Sequence, residues 1–127
     1  MYTYKAKLKR VVDGDTIDVY IDLGFDIHYF SRVRLAGINA PESRTRNLEE
    51  KKMGLAAKEY VEQWFSRVGK EFIIKTSKEE KGKYGRVLGT ITDLKDQQCL
   101  NIDLVDNGLA RLYDGTGDKT WSDFKEK

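Results

Sequence analysis

The stretch VVDGDTIDVYIDL, Val11 to Leu23, decides the fold. From Thr16 onward it alternates, with Ile17, Val19, Ile21 and Leu23 on one face and Asp18, Tyr20 and Asp22 on the other. A period of two is that of a strand with one face buried. The preceding run KAKLKRVV, residues 5–12, alternates at first and then turns apolar, as a strand entering a core does. Between them, Asp13-Gly14-Asp15 is a turn signal, because Asp-Gly accepts the positive φ angles of a tight hairpin. The two runs are therefore predicted to pair.

Working outward, IHYFSRVRLAGI, 27–38, is rich in β-branched and aromatic residues and reads as a third strand. It ends at the loop holding Pro41, the only proline, which biases Ala40 towards extended backbone. SRTRNLEEKK, 43–52, is polar and reads as an exposed loop. A helix is expected from Gly54 to Val68, where Ala57, Val61, Trp64 and Val68 recur at helical spacing. Glycine inside a helix costs about 1 kcal/mol, so Gly54 is placed at its start, and Gly69 ends it. EFIIKTS, 71–77, and RVLGTITDL, 86–94, are two more strands around the turn KEEKGKYG. NIDLVDNGLA, 101–110, is a short amphipathic helix closed near Gly108, and the tail 114–127 is polar with Trp121 and Phe124 as anchors. Three strands, a helix, two strands and a short helix make a mainly β chain of the α+β class. A five-stranded OB-fold Greek-key barrel suits this order. An open α+β sheet is the alternative that periodicity does not separate.

The 127 residues are expected to form a single domain, 1–127, able to bury its own core. One cysteine, Cys99, excludes an intrachain disulfide, and its apolar neighbours make it a buried structural thiol. The N-terminus has no apolar run of signal-peptide length, and no segment is long enough to span a membrane. The expectation is a cytoplasmic protein, or a secreted one if a leader has been removed. Charged residues make up 35% of the chain but the net charge is only +2, so a polyanion must be met by a local cluster.

Four clusters could carry chemistry: Asp13, Asp15 and Thr16 in VVDGDT; Arg34, Asn39 and Glu42 in VRLAGINAPE; Lys81, Lys83, Tyr84 and Arg86 in KGKYGR; and Arg111 and Tyr113 in GLARLYDG. Singly, each has an ordinary explanation as a turn, a solvated strand face or a soluble hairpin. His28, the only histidine, has no matching ligand residue and reads as structural. Together the clusters meet the needs of phosphodiester hydrolysis: carboxylates for a hard metal and a base, and guanidinium forks for phosphate oxygens. With one histidine, a carboxylate must carry the proton transfer.

The ordered set VVDGDT, VRLAGINAPE, GLAAKEYV, KYGR and NGLARLY resembles the staphylococcal nuclease (thermonuclease) family over roughly residues 7–113. The resemblance implies an OB-fold barrel and Ca2+-dependent cleavage of DNA or RNA with little sequence preference. It gives Arg34, Glu42 and Arg86 the catalytic roles. It makes Asp15, Asn39 and the Ala40 backbone carbonyl the metal ligands, with Asp13 and Thr16 supporting from behind. Lys81, Lys83, Tyr84 and Tyr113 would contact the nucleic acid. The best-known members carry an aspartate where this chain has Asn39; an amide oxygen can ligate Ca2+ but brings no charge, so another divalent cation becomes possible. The tail 114–127 is too short for the family's long final helix. DNA or RNA is the expected partner of a monomeric protein that does not engage membranes. The competing reading is an OB-fold module that binds single strands and has lost catalysis; the joint presence of Arg34, Glu42 and Arg86 favours the enzyme.

Overall fold

The computed structural model describes residues 2–78 and 87–113. Five strands close into a barrel: β1 (Tyr2–Asp13), β2 (Thr16–Asp22), β3 (His28–Leu35), β5 (Glu71–Lys78) and β6 (Val87–Thr92), in the order β1-β2-β3-β6-β5 with β5 returning to β1. β3 and β6 are parallel and the other pairs antiparallel. This is the closed five-stranded barrel expected of an OB fold, and it removes the open sheet as an alternative. A two-stranded ribbon sits beside it: β4 (Ile38–Asn39) pairs with β7 (Arg111–Leu112). The described residues also form two helices, α1 (Leu48–Val68) and α2 (Leu100–Asp106). Among the described residues no helix is long and apolar enough to cross a membrane.

The alternation of β2 does what its spacing dictates. Ile17, Val19 and Ile21 are buried in the barrel, opposite Val33 and Leu35 of β3, Phe72 and Ile74 of β5, and Ile91 of β6. Leu23, beyond the end of the strand, is exposed instead. Val61, Trp64 and Phe65 of α1 are buried in the same core, where the Phe65 ring lies 5.2 Å from that of Phe72. The Trp64 indole donates to Asp103 of α2 at 2.9 Å, which ties the helices together. Asn101 is a second clamp: its amide donates to the carbonyls of Ala36 and Gly89 and accepts from Ile91 N–H, fixing α2 against the ends of β3 and β6.

The helix expected from Gly54 begins six residues earlier, at Leu48, inside the presumed loop 43–52. Asn47 caps it by accepting from the backbone N–H groups of Glu49 and Glu50, and both acidic residues lie where the helix dipole favours them. The helix ends at Gly69, as read, and its N–H bonds Phe65 O. The third strand is interrupted after Leu35 by a turn at Gly37 (φ 76°), so Ile38 leaves the barrel for the ribbon. α2 ends at Asp106, before Gly108 (φ 71°). Cys99 is half-buried at the start of α2 rather than buried, and His28 is exposed on β3. The turn between β5 and β6 and the tail 114–127 lie outside the described residues.

Asp18 breaks the alternation rule. It projects from the outer face of β2 yet is 2% exposed, because Arg10 and Arg32 close over it with bonds of 2.9 Å each. The hydrogen bond from Arg32, opposed by burial and helped by Arg10, holds its carboxyl below the ordinary value. A depressed folded-state pKa stabilises the fold above the unfolded pKa of about 3.9, and that contribution disappears as pH falls through the folded value. Because both arginines are half-exposed, we expect Asp18→Asn to cost only about 1–2 kcal/mol at pH 7. Urea unfolding should show the gap to wild type closing as pH falls below the ordinary carboxylate range. A gap that persists unchanged in acid would mean that the loss is one of packing.

Candidate nuclease site

The β1–β2 turn and the segment after β4 meet at one end of the barrel. Asp15, 9% exposed, is fixed from three sides. Its Oδ1 accepts from the Thr16 hydroxyl at 3.0 Å, its Oδ2 accepts from Ala40 N–H at 3.0 Å, and its own carbonyl accepts from Leu35 N–H at 2.8 Å. Asp13 accepts from Ser43 N–H at 3.2 Å. Burial pushes the Asp13 carboxyl above its ordinary value, the Ser43 hydrogen bond opposes the shift, and the nearby Asp15 charge adds to it.

Arg34 lies across this corner. Its Nη1 donates to Ile38 O at 3.2 Å, and its Nη2 donates to Asn39 Oδ1 at 2.8 Å and sits 3.6 Å from Asp15 Oδ2. The strand reading put Arg34 on the solvent face, but its side chain is only 13% exposed because the β4–β7 ribbon folds back over it. Tyr113 follows that ribbon, its N–H bonded to Gly37 O at 2.8 Å, and the Arg34 guanidinium lies 5.6 Å from its ring centroid. Asn39 is 3% exposed, and its Nδ2 is buried with no hydrogen-bond partner among the described residues. The orientation of the amide follows from Arg34, which needs an acceptor. An aspartate here would offer a second oxygen where Nδ2 now lies.

Glu42 is exposed on the rim of the same cleft, which has a volume of about 330 Å3. Its backbone is held closely. Its N–H donates to Glu50 Oε2 at 3.2 Å, and its carbonyl packs on the helix at Gly54, where a Cβ would come within 2.4 Å of the Glu42 C and O atoms. One turn along α1, Ala57 touches the hairpin: a Cβ on Gly14 would lie 2.6 Å from Ala57 Cβ and 3.1 Å from Ala40 Cβ. Small residues of α1 therefore seat both loops of the site.

The structure thus brings together Asp13, Asp15, Thr16, Arg34, Asn39, Ala40 and Glu42 at one cleft, with Tyr113 against Arg34. Lys81, Lys83, Tyr84 and Arg86 lie outside the described residues. Arg32 and Arg44 also line the cleft and were not singled out from the sequence. Arg32 shares strand parity with Arg34, which is the signal that could have found it. Every candidate metal donor is oxygen, from Asp15, Asn39 and the Ala40 carbonyl, and such a set suits a hard divalent cation. It holds little charge: among the described residues no three His, Cys, Asp or Glu side chains cluster closely enough to hold a metal.

The fold and this corner define an OB-fold barrel with an arginine braced over acidic and amide oxygens. The chain belongs to the staphylococcal nuclease homologue family, whose family model matches residues 32–126. It is 38% identical over 106 residues to a thermonuclease of Staphylococcus intermedius, covering 82% of this chain and 56% of that protein. It is 30% identical over 115 residues to endonuclease YhcR of Bacillus subtilis, covering 87% of this chain and 9% of that protein. An uncharacterized protein of Methanocaldococcus jannaschii, MJ1439, is 27% identical over 87% of this chain and 59% of its own length. The chain thus spans little more than half of the thermonuclease and about a tenth of the endonuclease.

On an open helix face, Gly54→Ala would stabilise by about 1 kcal/mol. Here the sign reverses, because the added methyl meets the Glu42 backbone. We expect a net loss of about 1–3 kcal/mol, read as a lower urea midpoint. An increase in stability would mean that the Glu42 loop moves aside at little cost.

Proposed function

We propose that this protein is a metal-dependent nuclease that hydrolyses phosphodiester bonds of DNA or RNA with little sequence preference. The reading is carried by the convergence of Arg34, Asp15, Asn39 and Glu42 on one cleft. Membership of a family that includes proteins named thermonuclease and endonuclease supports it.

Hydrolysis needs a water deprotonated on one side of the phosphorus and negative charge offset on the phosphate oxygens. Arg34 has five N–H donors, and its bonds to Ile38 and Asn39 brace the fork while leaving donors for a phosphate. Its charge is permanent, so it stabilises the transition state at any working pH. Glu42 stands on the open rim, where its carboxylate can orient a water and take its proton. Asp15, Asn39 Oδ1 and the Ala40 carbonyl would hold Ca2+ or a related cation, supported by Asp13 and Thr16. When bound, the cation supplies positive charge opposite the phosphate. By family resemblance Arg86 is the second phosphate arginine, and Lys81, Lys83, Tyr84 and Tyr113 contact the nucleotides.

Single-stranded DNA, duplex DNA and RNA, each incubated with Ca2+, Mg2+, Mn2+ or EDTA, test the reading directly. Cleavage should require the divalent cation. Glu42→Gln and Arg34→Ala should each lower kcat by about 10²-fold or more in folded protein. Near wild-type turnover in either variant would remove that residue from its role. Binding without cleavage by the wild type, whatever the cation, would make the protein a single-strand-binding module.

Asn39 sets a second expectation. Its single oxygen is shared between Arg34 and any cation, whereas an aspartate could give one oxygen to each. Asn39→Asp should therefore lower the metal concentration for half-maximal cleavage, since carboxylate count tunes Ca2+ affinity. Superimposable metal titrations would show that Asn39 is not a ligand.

A further inference from the structure

On the outer surface of the barrel, the side chains that alternate away from the core form a continuous face. Register pairs Thr16 with Arg34, Asp18 with Arg32, Tyr20 with Phe30 and Asp22 with His28. β1 adds Arg10 beside Asp18 and Lys7 beside Tyr20. Between Leu8 and Arg10 the β1–β2 pairing is irregular, as at a bulge. A bulge re-aims a side chain, and here two consecutive cations, Lys9 and Arg10, are both exposed. The face runs out of the cleft without a break, because Arg32 lines the cleft and also bonds Asp18 on the face.

Two properties of this face call for a ligand. Its aromatic centre is uncovered: Tyr20 is 38% and Phe30 47% exposed, with ring centroids 5.6 Å apart. Lys9 Nζ lies 4.9 Å from the Phe30 centroid and 6.0 Å from that of Tyr20. Its charge is also graded. Towards the cleft Arg10 and Arg32 close over the carboxylate of Asp18 and Lys9 lies over the rings, whereas at the far end Lys5, paired with Glu71 at 3.4 Å, and Lys7 are balanced by Glu71 and Asp22. The cationic excess therefore lies between Arg34 and the two rings. In a chain with net charge +2 such a local excess is a specific arrangement.

We propose that this face is an extended subsite for single-stranded nucleic acid, on which the strand entering or leaving the cleft stacks its bases on Tyr20 and Phe30 while Lys9, Arg10 and Arg32 meet its phosphates. The proposal rests on the nuclease reading and deepens it. From Arg34 to Phe30 is four residues of strand, about 13 Å, the span of a few nucleotides. The Lys9 ammonium is a point charge on a flexible stem, so it can leave the rings to a base and turn to the adjoining phosphate. Aromatic stacking of this kind tolerates any base, in keeping with low sequence preference. Asp18 holds two arginines in place through its bonds to both.

The test is affinity against strand length, measured by fluorescence anisotropy on the whole chain with chelator present so that no strand is cut. Single-stranded DNA of two and of twelve nucleotides should differ in affinity by more than 10-fold for the wild type. In Tyr20→Thr/Phe30→Thr, which keeps strand propensity, affinity for the twelve-mer should fall about 10- to 100-fold and the gain with length should collapse. Lys9→Gln, a single exposed change, should reduce the salt slope by about 0.7. An unchanged twelve-mer affinity in the double variant overturns the proposal, as does a wild type with no measurable affinity. Self-association of the wild type that the double variant loses, with nucleic-acid affinity intact, would assign the face to a second copy of the chain and overturn it too. The nuclease reading fails separately, through absence of twelve-mer cleavage with any divalent cation.

Discussion

Where α1 meets the two loops of the cleft, Gly54 and Gly14 have no room even for a methyl group unless a neighbour shifts. Gly54 lies against the Glu42 carbonyl, and Ala57 and Ala40 both lie against Gly14. Because α1 is also fastened into the core through Val61, Trp64 and Phe65, its position is set by apolar burial and passed on to the loops. The helix surface is what holds them at one distance from each other. The helix-propensity cost of Gly54, about 1 kcal/mol, is the consequence of that close approach.

Arg34 is the second tie. It joins β3, the turn into β4, the β1–β2 hairpin and, through its contact with Tyr113, the end of the described chain. A buried guanidinium needs partners for its charge and its donors. Asp15 supplies the charge, while Ile38 and Asn39 supply the acceptors. The arrangement leaves Asn39 Nδ2 buried without a partner among the described residues. Buried polar groups left unsatisfied are rare, and this one lies among the proposed metal donors.

Much of this was legible in the chain itself. Alternation located the strands because a barrel strand has one dry face and one wet one. Arg34, Asn39 and Glu42 were legible as a group because nine residues that end on a turn cannot stray far apart. The start of α1 was missed although Asn47 and Glu50 carry the spacing of a helix start, because the Gly54 penalty was read locally. Arg32 shares the strand parity of Arg34 and was legible on that ground, whereas nothing in a linear pattern shows that Arg44 borders the cleft.

The sequence by itself determined the inward face of β2 from Ile17 to Ile21, the Asp-Gly turn before it and which chemistries the polar side chains can perform, since period, turn propensity and functional-group identity are local properties. Tertiary structure alone decided that the barrel closes, that Asp18 is buried on an outer face, and that Arg34 is shielded by a ribbon whose second strand is Arg111–Leu112. Each of these depends on groups distant in sequence meeting in space. Burial and the braced geometry of a charged fork arise only when such groups jointly exclude water.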